Sequence, residues 1–250
     1  MIRKTHIFAH RGANRYAAEN TRSAFELALQ DNINGMETDI QLSRDDVPLL
    51  WHDRNLDKLG MPDSHIDDLD FDVLRTLNFA AHFDPSAPAE GPMRLQDFLE
   101  RYRSRCRLLL EIKNRDWEDR ARHESKVRHT LALVGARTGD EVLISSFNLS
   151  SLVYAHQCAP NFPLIYNMEP EHTLFDAQQV LGKQTFLHGY CLHISRLDKP
   201  MTDLLRSHNK VIAVYTCNSE AEIRRALALE VDILISDVPQ LALQLRDHAA

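Results

Sequence analysis

The sequence predicts a (β/α)8 TIM barrel built as a single domain, and three observations carry that prediction. Short β-rich runs alternate with helical patterns along the chain, the runs number eight, and eight β/α repeats fill 250 residues, the usual size of such a barrel. The runs lie at 6–12, 35–43, 107–113, 141–147, 163–169, 187–195, 211–218 and 232–237. Between them, apolar spacing predicts helices over 21–33, 124–138, 149–159, 201–209 and 219–230; in the last, Ile223, Ala226 and Leu227 fall on one face. The rhythm breaks once. Between His52 and Leu95 come Asp63, Asp67, Asp68, Asp70 and Asp72, then Pro85, Pro88 and Pro92, with weak apolar periodicity. That stretch reads as a solvated insertion of about 54–94 in the loop after the second strand, inside one domain of 1–250. Loops at the C-terminal ends of barrel strands build active sites, so an insertion there shapes a substrate mouth.

Bulk properties narrow the function classes. Hydrophobic residues at 44% and charged residues at 26% are those of a globular chain, which excludes extensive disorder. A net charge of −7, from 29 basic against 36 acidic residues, argues against nucleic acid as a partner, because no broad basic field is available to meet it. A ligand bearing phosphate therefore needs cations supplied locally. Cys106, Cys158, Cys191 and Cys217 are far apart with no CxxC pair, and read as reduced buried thiols. The N-terminus runs directly into an apolar strand and no run of about 18 apolar residues occurs, so the expectation is a soluble cytoplasmic protein without stable membrane insertion.

Chemistry concentrates in the first three strands. The first ends in His10-Arg11-Gly12, placing an imidazole and a guanidinium where a barrel presents catalytic groups. Glu37 and Asp39, two apart on a strand, share one face, with Thr38 and Ile40 on the other. Two adjacent carboxylates repel unless a cation lies between them, and a hard divalent metal is the simple explanation. Glu111 and Lys113 repeat the spacing, with Leu110 and Ile112 opposite. Glu37, Asp39 and Glu111 then form an all-oxygen donor set that favours Mg2+ or Ca2+ over Zn2+.

These motifs together resemble the glycerophosphodiester phosphodiesterase family. The resemblance lies in His10-Arg11-Gly12, Glu19-Asn20-Thr21 with Ala24-Phe25, Glu37-Thr38-Asp39, His52-Asp53 and Glu111-Ile112-Lys113, in that order. It continues through Ser145-Ser146-Phe147, Tyr215-Thr216-Cys217-Asn218 and the stretch from Val231-Asp232 to Ser236-Asp237-Val238-Pro239. It implies a TIM barrel and metal-assisted hydrolysis of a small-molecule glycerophosphodiester to glycerol 3-phosphate and an alcohol. Carried onto these residues, it makes His10 and His52 the general acid/base pair, Glu37, Asp39 and Glu111 the metal ligands, and Arg11 and Lys113 the phosphate-binding cations. Phosphoryl transfer needs this equipment: charge neutralisation on the phosphoryl oxygens, and proton transfers at attack and departure.

The chain departs from the family pattern at Ala18, where Pro is usual, at Asp45-Asp46, where Asp-Gly is favoured, and at Tyr215, where Trp is frequent. These bear on substrate fit and local order. Glu19 reads equally as a site group or as support for the following helix. Glu169, His193, Tyr215 and Asn218 lie near the ends of later strands, where side chains face the mouth. The competing functions are a lysophospholipase D or sphingomyelinase D-like activity on the same barrel, and a barrel that only binds phosphodiesters.

Overall fold

The computed structural model describes residues 4–114, 118–135 and 141–248. Eight parallel strands form the barrel: β1 (His6–His10), β2 (Gly35–Leu42), β3 (Arg107–Ile112), β4 (Val142–Ser146), β5 (Leu164–Met168), β6 (Gly189–His193), β7 (Val211–Tyr215) and β8 (Ile233–Ser236). Each pairs with the next, and β1 pairs with both β2 and β8, which closes the sheet. Each of the eight β-rich runs contains one of these strands.

The helices outside are α1 (Arg22–Ala28), α2 (Leu95–Tyr102), α3 (Arg120–Val134), α4 (Leu149–Cys158), α5 (Leu174–Lys183), α6 (Lys199–Ser207), α7 (Glu220–Ala228) and α8 (Pro239–His248). Sequence spacing finds five of them and passes over α2, α5 and α8. α3 starts earlier than its apolar pattern, because its first turn is mostly Arg and His and is set by Asp119, which accepts from the Arg122 N–H. The end expected for it at Thr138 lies outside the described residues. α1 stops early: a 3-10 turn at Leu29–Asp31 ends on Asn32 at φ 54°, a left-handed position that Asn tolerates.

Two layers inside the barrel position the site. The lower is apolar: Phe8, Leu109, Leu143, Ile165, Cys191, Ala213 and Ile233 pack along the axis, each from a different strand. Gly35 completes that layer on β2, because a Cβ there would lie 2.5 Å from the Phe8 ring. Side chains two residues further along a strand point the same way. That step turns Phe8 into His10, Gly35 into Glu37, Leu109 into Glu111, Leu143 into Ser145, Ile165 into Asn167 and Ala213 into Tyr215. A polar layer thus sits on an apolar plug at the C-terminal end of the barrel. Residues of the opposite parity, such as Leu110, Ile112, Ile144, Leu192 and Val214, face outward into the core shared with the helices.

The segment 43–94 is more structured than its composition implies. Pro48–Leu50 pairs antiparallel to β2, and Asn55–Leu56 pairs with Met61–His65. Leu49, Trp51, Leu56, Ile66, Phe71, Leu74 and Phe79 bury together as a separate small core, each such side chain contributing about 1.5–3 kcal/mol. Of the acids that made the stretch look solvated, Asp67 pairs with Arg54 and Asp70 with Arg44. In the turn before His52, Asp46 takes φ 62°, so an aspartate supplies the left-handed conformation expected of Gly, and Arg122 pairs with its carboxylate.

Candidate active site

The end of β1 is clamped from both sides. The Arg11 backbone N–H donates to the Glu37 carbonyl at 3.0 Å, and the Arg11 carbonyl accepts from Asn20 at 3.0 Å. Gly12, at φ 84°, lies so close to α1 that a Cβ would stand 2.7 Å from the Ala24 carbonyl carbon. This turn aims His10 at the polar layer. His10 Nδ1 lies 2.6 Å from Asp237 Oδ1. A carboxylate can only accept, so Nδ1 carries the proton and Nε2 is left available, 3.8 Å from Glu37 Oε2. Asp237 also accepts from Asn14 at 2.7 Å and Asn218 at 2.7 Å, and its backbone N–H donates to Asn218 Oδ1. Burial works to raise the Asp237 pKa, but His10, Asn14 and Arg15 outweigh it and hold the carboxyl well below the usual range.

Glu37, Asp39 and Glu111 converge in register: His10 pairs with Glu37, and Asp39 with Glu111, across adjacent strands. One oxygen from each lies within 4.8 Å of the others. Two cations flank them. Lys113 Nζ is 2.6 Å from Glu111 and 3.4 Å from Asp39, while Arg11 reaches Asp39 at 3.0 Å and Glu19 at 2.8 Å. Asn20 donates to Asp39 at 2.9 Å and accepts from Thr38.

The electrostatics is divided. Burial raises the Asp39 pKa, yet Arg11 and Lys113 outweigh it and hold this carboxyl far below the ordinary range. Glu37 is pushed well above its ordinary value, first by burial and then by repulsion from Asp39 and Glu111. Burial lowers the Lys113 and Arg11 pKa values, but the surrounding carboxylates reverse this and keep both charged. A divalent cation fits: among the described residues Glu37 Oε2 is buried without a hydrogen-bond partner, Asp39 Oδ1 has only the Lys113 ammonium at 3.4 Å, and the donor set is all oxygen.

His52 stands on the loop after the Pro48–Leu50 strand, its Nδ1 2.6 Å from Asp53 Oδ1. The hydrogen bond from His52, with Lys58 beyond it, holds the Asp53 carboxyl well below its ordinary range. Lys58 links Asp53 at 2.8 Å to Glu19 at 2.8 Å, tying the His52 loop to the Arg11 turn. His52 and Lys113 line one cavity of about 370 Å3, together with Gln41, Asp53, Arg54, Asn55 and His65. Both imidazoles thus share one device, an Nδ1–H anchored on a carboxylate, on either side of a three-carboxylate cluster.

A model of the glycerophosphoryl diester phosphodiesterase family matches residues 10–241, from His10 to the start of the last helix. The chain belongs to that family. It is accordingly an enzyme, a phosphoric diester hydrolase. It is 29% identical to a glycerophosphodiester phosphodiesterase of Bacillus altitudinis over 98% of this chain and 99% of that one. Among solved structures, it is similar to a glycerophosphodiester phosphodiesterase of Agrobacterium tumefaciens strain C58, with 26% identity, a TM-score of 0.75 and coverage of 96% and 99%. It also shares the fold of an Oleispira antarctica phosphodiesterase solved in complex with the product sn-glycerol-3-phosphate, with 23% identity, a TM-score of 0.85 and coverage of 97% and 96%.

In this member of the glycerophosphoryl diester phosphodiesterase family, the seven residues singled out from sequence, His10, Arg11, Glu37, Asp39, His52, Glu111 and Lys113, all lie at the C-terminal mouth of the barrel. Of the weaker candidates, Tyr215 lines the axial cavity and Asn218 supports Asp237, whereas Glu19 bridges Arg11 and Lys58. Asp237 and Asp53, the partners of the two histidines, were visible only as parts of motifs. Asn20 and Asn167 are further polar residues with contacts in the site that sequence did not assign.

Proposed function

We propose that this enzyme hydrolyses glycerophosphodiesters to glycerol 3-phosphate and an alcohol with the help of a divalent cation, Mg2+ or Ca2+. The observation that carries the reading is the pair of histidines, each anchored through Nδ1 at 2.6 Å, flanking the carboxylates of Glu37, Asp39 and Glu111. Those three carboxylates would hold the cation, which when bound supplies positive charge against the phosphoryl oxygens. Arg11 and Lys113, charged and largely buried at the same mouth, bind the phosphate and offset its charge in an acidic protein. His10 and His52 present their Nε2 atoms to the substrate, one accepting the proton of the attacking group and the other protonating the departing alcohol. Asp237 and Asp53 fix the tautomers and stabilise each imidazolium as it forms. The product named in the Oleispira antarctica complex is the one this chemistry yields.

We also read the chain as one domain in which 54–94 is an insertion beside the mouth, and the four free cysteines as those of a protein working in the reducing cytoplasm, although only Cys191 and Cys217 are buried as expected, Cys106 being half-buried and Cys158 exposed at the end of α4. The test is purified protein with glycerophosphocholine, glycerophosphoethanolamine, glycerophosphoinositol and a lysolipid, each with Mg2+ or Ca2+ and again with chelator. Release of glycerol 3-phosphate only with metal is the expected result; intact substrates throughout would sink the reading.

A further inference from the structure

A narrow cavity on the barrel axis, walled by His10, Glu37 and Glu111 on one side, continues past them to Ser145, Phe147, Asn167 and Tyr215. Its free space is about 20 Å3, which admits a hydroxymethyl-sized group and little more. The floor is apolar, made by Leu109, Cys191 and Ile235. Tyr215 is fixed as a wall because its hydroxyl donates to the Met168 carbonyl at 2.9 Å, and its ring meets Phe147 edge-on at 5.7 Å.

Asn167 is the anomaly in this lining. It is 3% exposed, its Nδ2 donates to Ser145 Oγ at 3.3 Å, and its Oδ1 is buried with no partner among the described residues. With the amide turned over, the bare atom would be the Nδ2 donor, which a hydroxyl can also meet because it accepts as well as donates; in the orientation present the bare atom is the acceptor. A buried amide without a partner costs free energy, and it persists where a ligand completes it. On a strand whose preceding inward residue is Ile165, an apolar side chain would have filled this position at no such cost.

Resting on the function proposed above, we infer that Asn167, backed by Ser145, is a specificity residue that accepts a hydrogen bond from the terminal hydroxyl of the substrate's glycerol unit. The cavity opens beside the carboxylates that would hold the cation, so a glycerol whose phosphate sits there extends its far hydroxymethyl arm toward Asn167. The aromatic rings of Phe147 and Tyr215 enclose the carbon skeleton, and the narrow floor excludes larger substituents. A site built to bond a hydroxyl discriminates against analogues that lack it, because its own buried group is then left unpaired.

The experiment compares two substrates on the metal-loaded enzyme: glycerophosphoethanolamine and the matching diester of propane-1,2-diol, which lacks only the terminal hydroxyl. The wild type should favour the glycerol diester in kcat/KM by roughly ten- to a hundredfold, the scale of one buried hydrogen bond. Asn167→Leu should bring that ratio close to one by losing activity on the glycerol diester alone. Asn167→Ala, a smaller change, guards against misfolding, and bis(4-nitrophenyl) phosphate, which has no hydroxyl, reports that the catalytic groups are intact in both. An unchanged preference in the variants, or an equal loss on all three substrates, overturns the inference. A wild type that leaves every glycerophosphodiester intact yet cleaves bis(4-nitrophenyl) phosphate overturns instead the reading on which it rests, and the inference with it.

Discussion

Glu37→Gln is expected to have opposite effects on stability with and without metal. One oxygen of Glu37 lies within 4.8 Å of oxygens from Asp39 and Glu111. At that separation, and with an effective dielectric constant of about 20, each pair of full charges repels by about 3.5 kcal/mol. Burial and then its two neighbours raise the Glu37 pKa, so proton uptake there relieves part of this repulsion in the free enzyme. The glutamine therefore recovers only a fraction, about 1 kcal/mol, or roughly 2–4 °C in Tm for a chain this long. The native state binds more protons at Glu37 than the unfolded state, so its contribution is present below pH about 4.5 and lost as pH rises through the raised value. In chelator, the advantage of Glu37→Gln over wild type should accordingly widen as pH rises. With Mg2+ or Ca2+ at a hundred times Kd, the wild type gains about 2.7 kcal/mol, roughly 5–11 °C, and the variant gains little. Scanning calorimetry at several pH values in both conditions reads all of this. A wild type whose Tm ignores the metal, or a variant less stable than wild type in chelator, would refute the reasoning.

Further outcomes follow from the same geometry. His10→Ala and His52→Ala should each lower kcat by at least about a hundredfold in steady-state assays, and near-normal turnover removes that histidine from the mechanism. Asp237→Asn should cost roughly ten- to a hundredfold in activity by releasing the His10 ring. Because the native Asp237 pKa is lowered, its stability contribution is present above pH about 4 and lost as pH falls through the native value. Urea titrations should therefore show the variant weaker than wild type at pH 7, with the gap narrowing steadily as pH falls below about 4 toward the native value; a constant gap contradicts the pairing. Gly12→Ala should lose at least about 2 kcal/mol by thermal melting, since an L-residue is strained at φ 84° and its Cβ would stand 2.7 Å from α1 backbone; an unchanged Tm would mean the turn yields.

The strands were legible because each is a short β-rich run set between helical patterns, and several are buried on both faces, as strands of a parallel barrel wrapped by helices are. The helix α8 was obscured by its beginning, a proline that reads as the end of a strand motif, whereas α5 was passed over although the Thr173–Asp176 capping box that starts it is a helix signal. In α2, Leu95, Phe98, Leu99 and Tyr102 do have helical spacing, but the charged, proline-rich stretch before them hid the onset. The satellite core around Trp51 escaped notice because its apolar residues are separated by acids that only tertiary pairing with Arg44 and Arg54 explains. Residues of the site that carry charge on the first three strands stood out through local spacing. Asp237 did not, because its partner His10 is 227 positions away and nothing local marks it as the group that orients an imidazole. Asn167 was hidden for a related reason: an asparagine in a strand acquires meaning only once its amide oxygen is found buried and bare.

The proposed chemistry places the scissile bond between phosphorus and the headgroup oxygen and makes cleavage depend on the cation. Phosphorus NMR of glycerophosphocholine turnover in 18O-enriched water, with Mg2+ or Ca2+ and again with chelator, reads both points at once. The expected product is sn-glycerol 3-phosphate carrying the label on phosphorus, with unlabelled choline and no reaction in chelator; phosphocholine as product, label in the alcohol, or undiminished turnover without metal would overturn the proposed function.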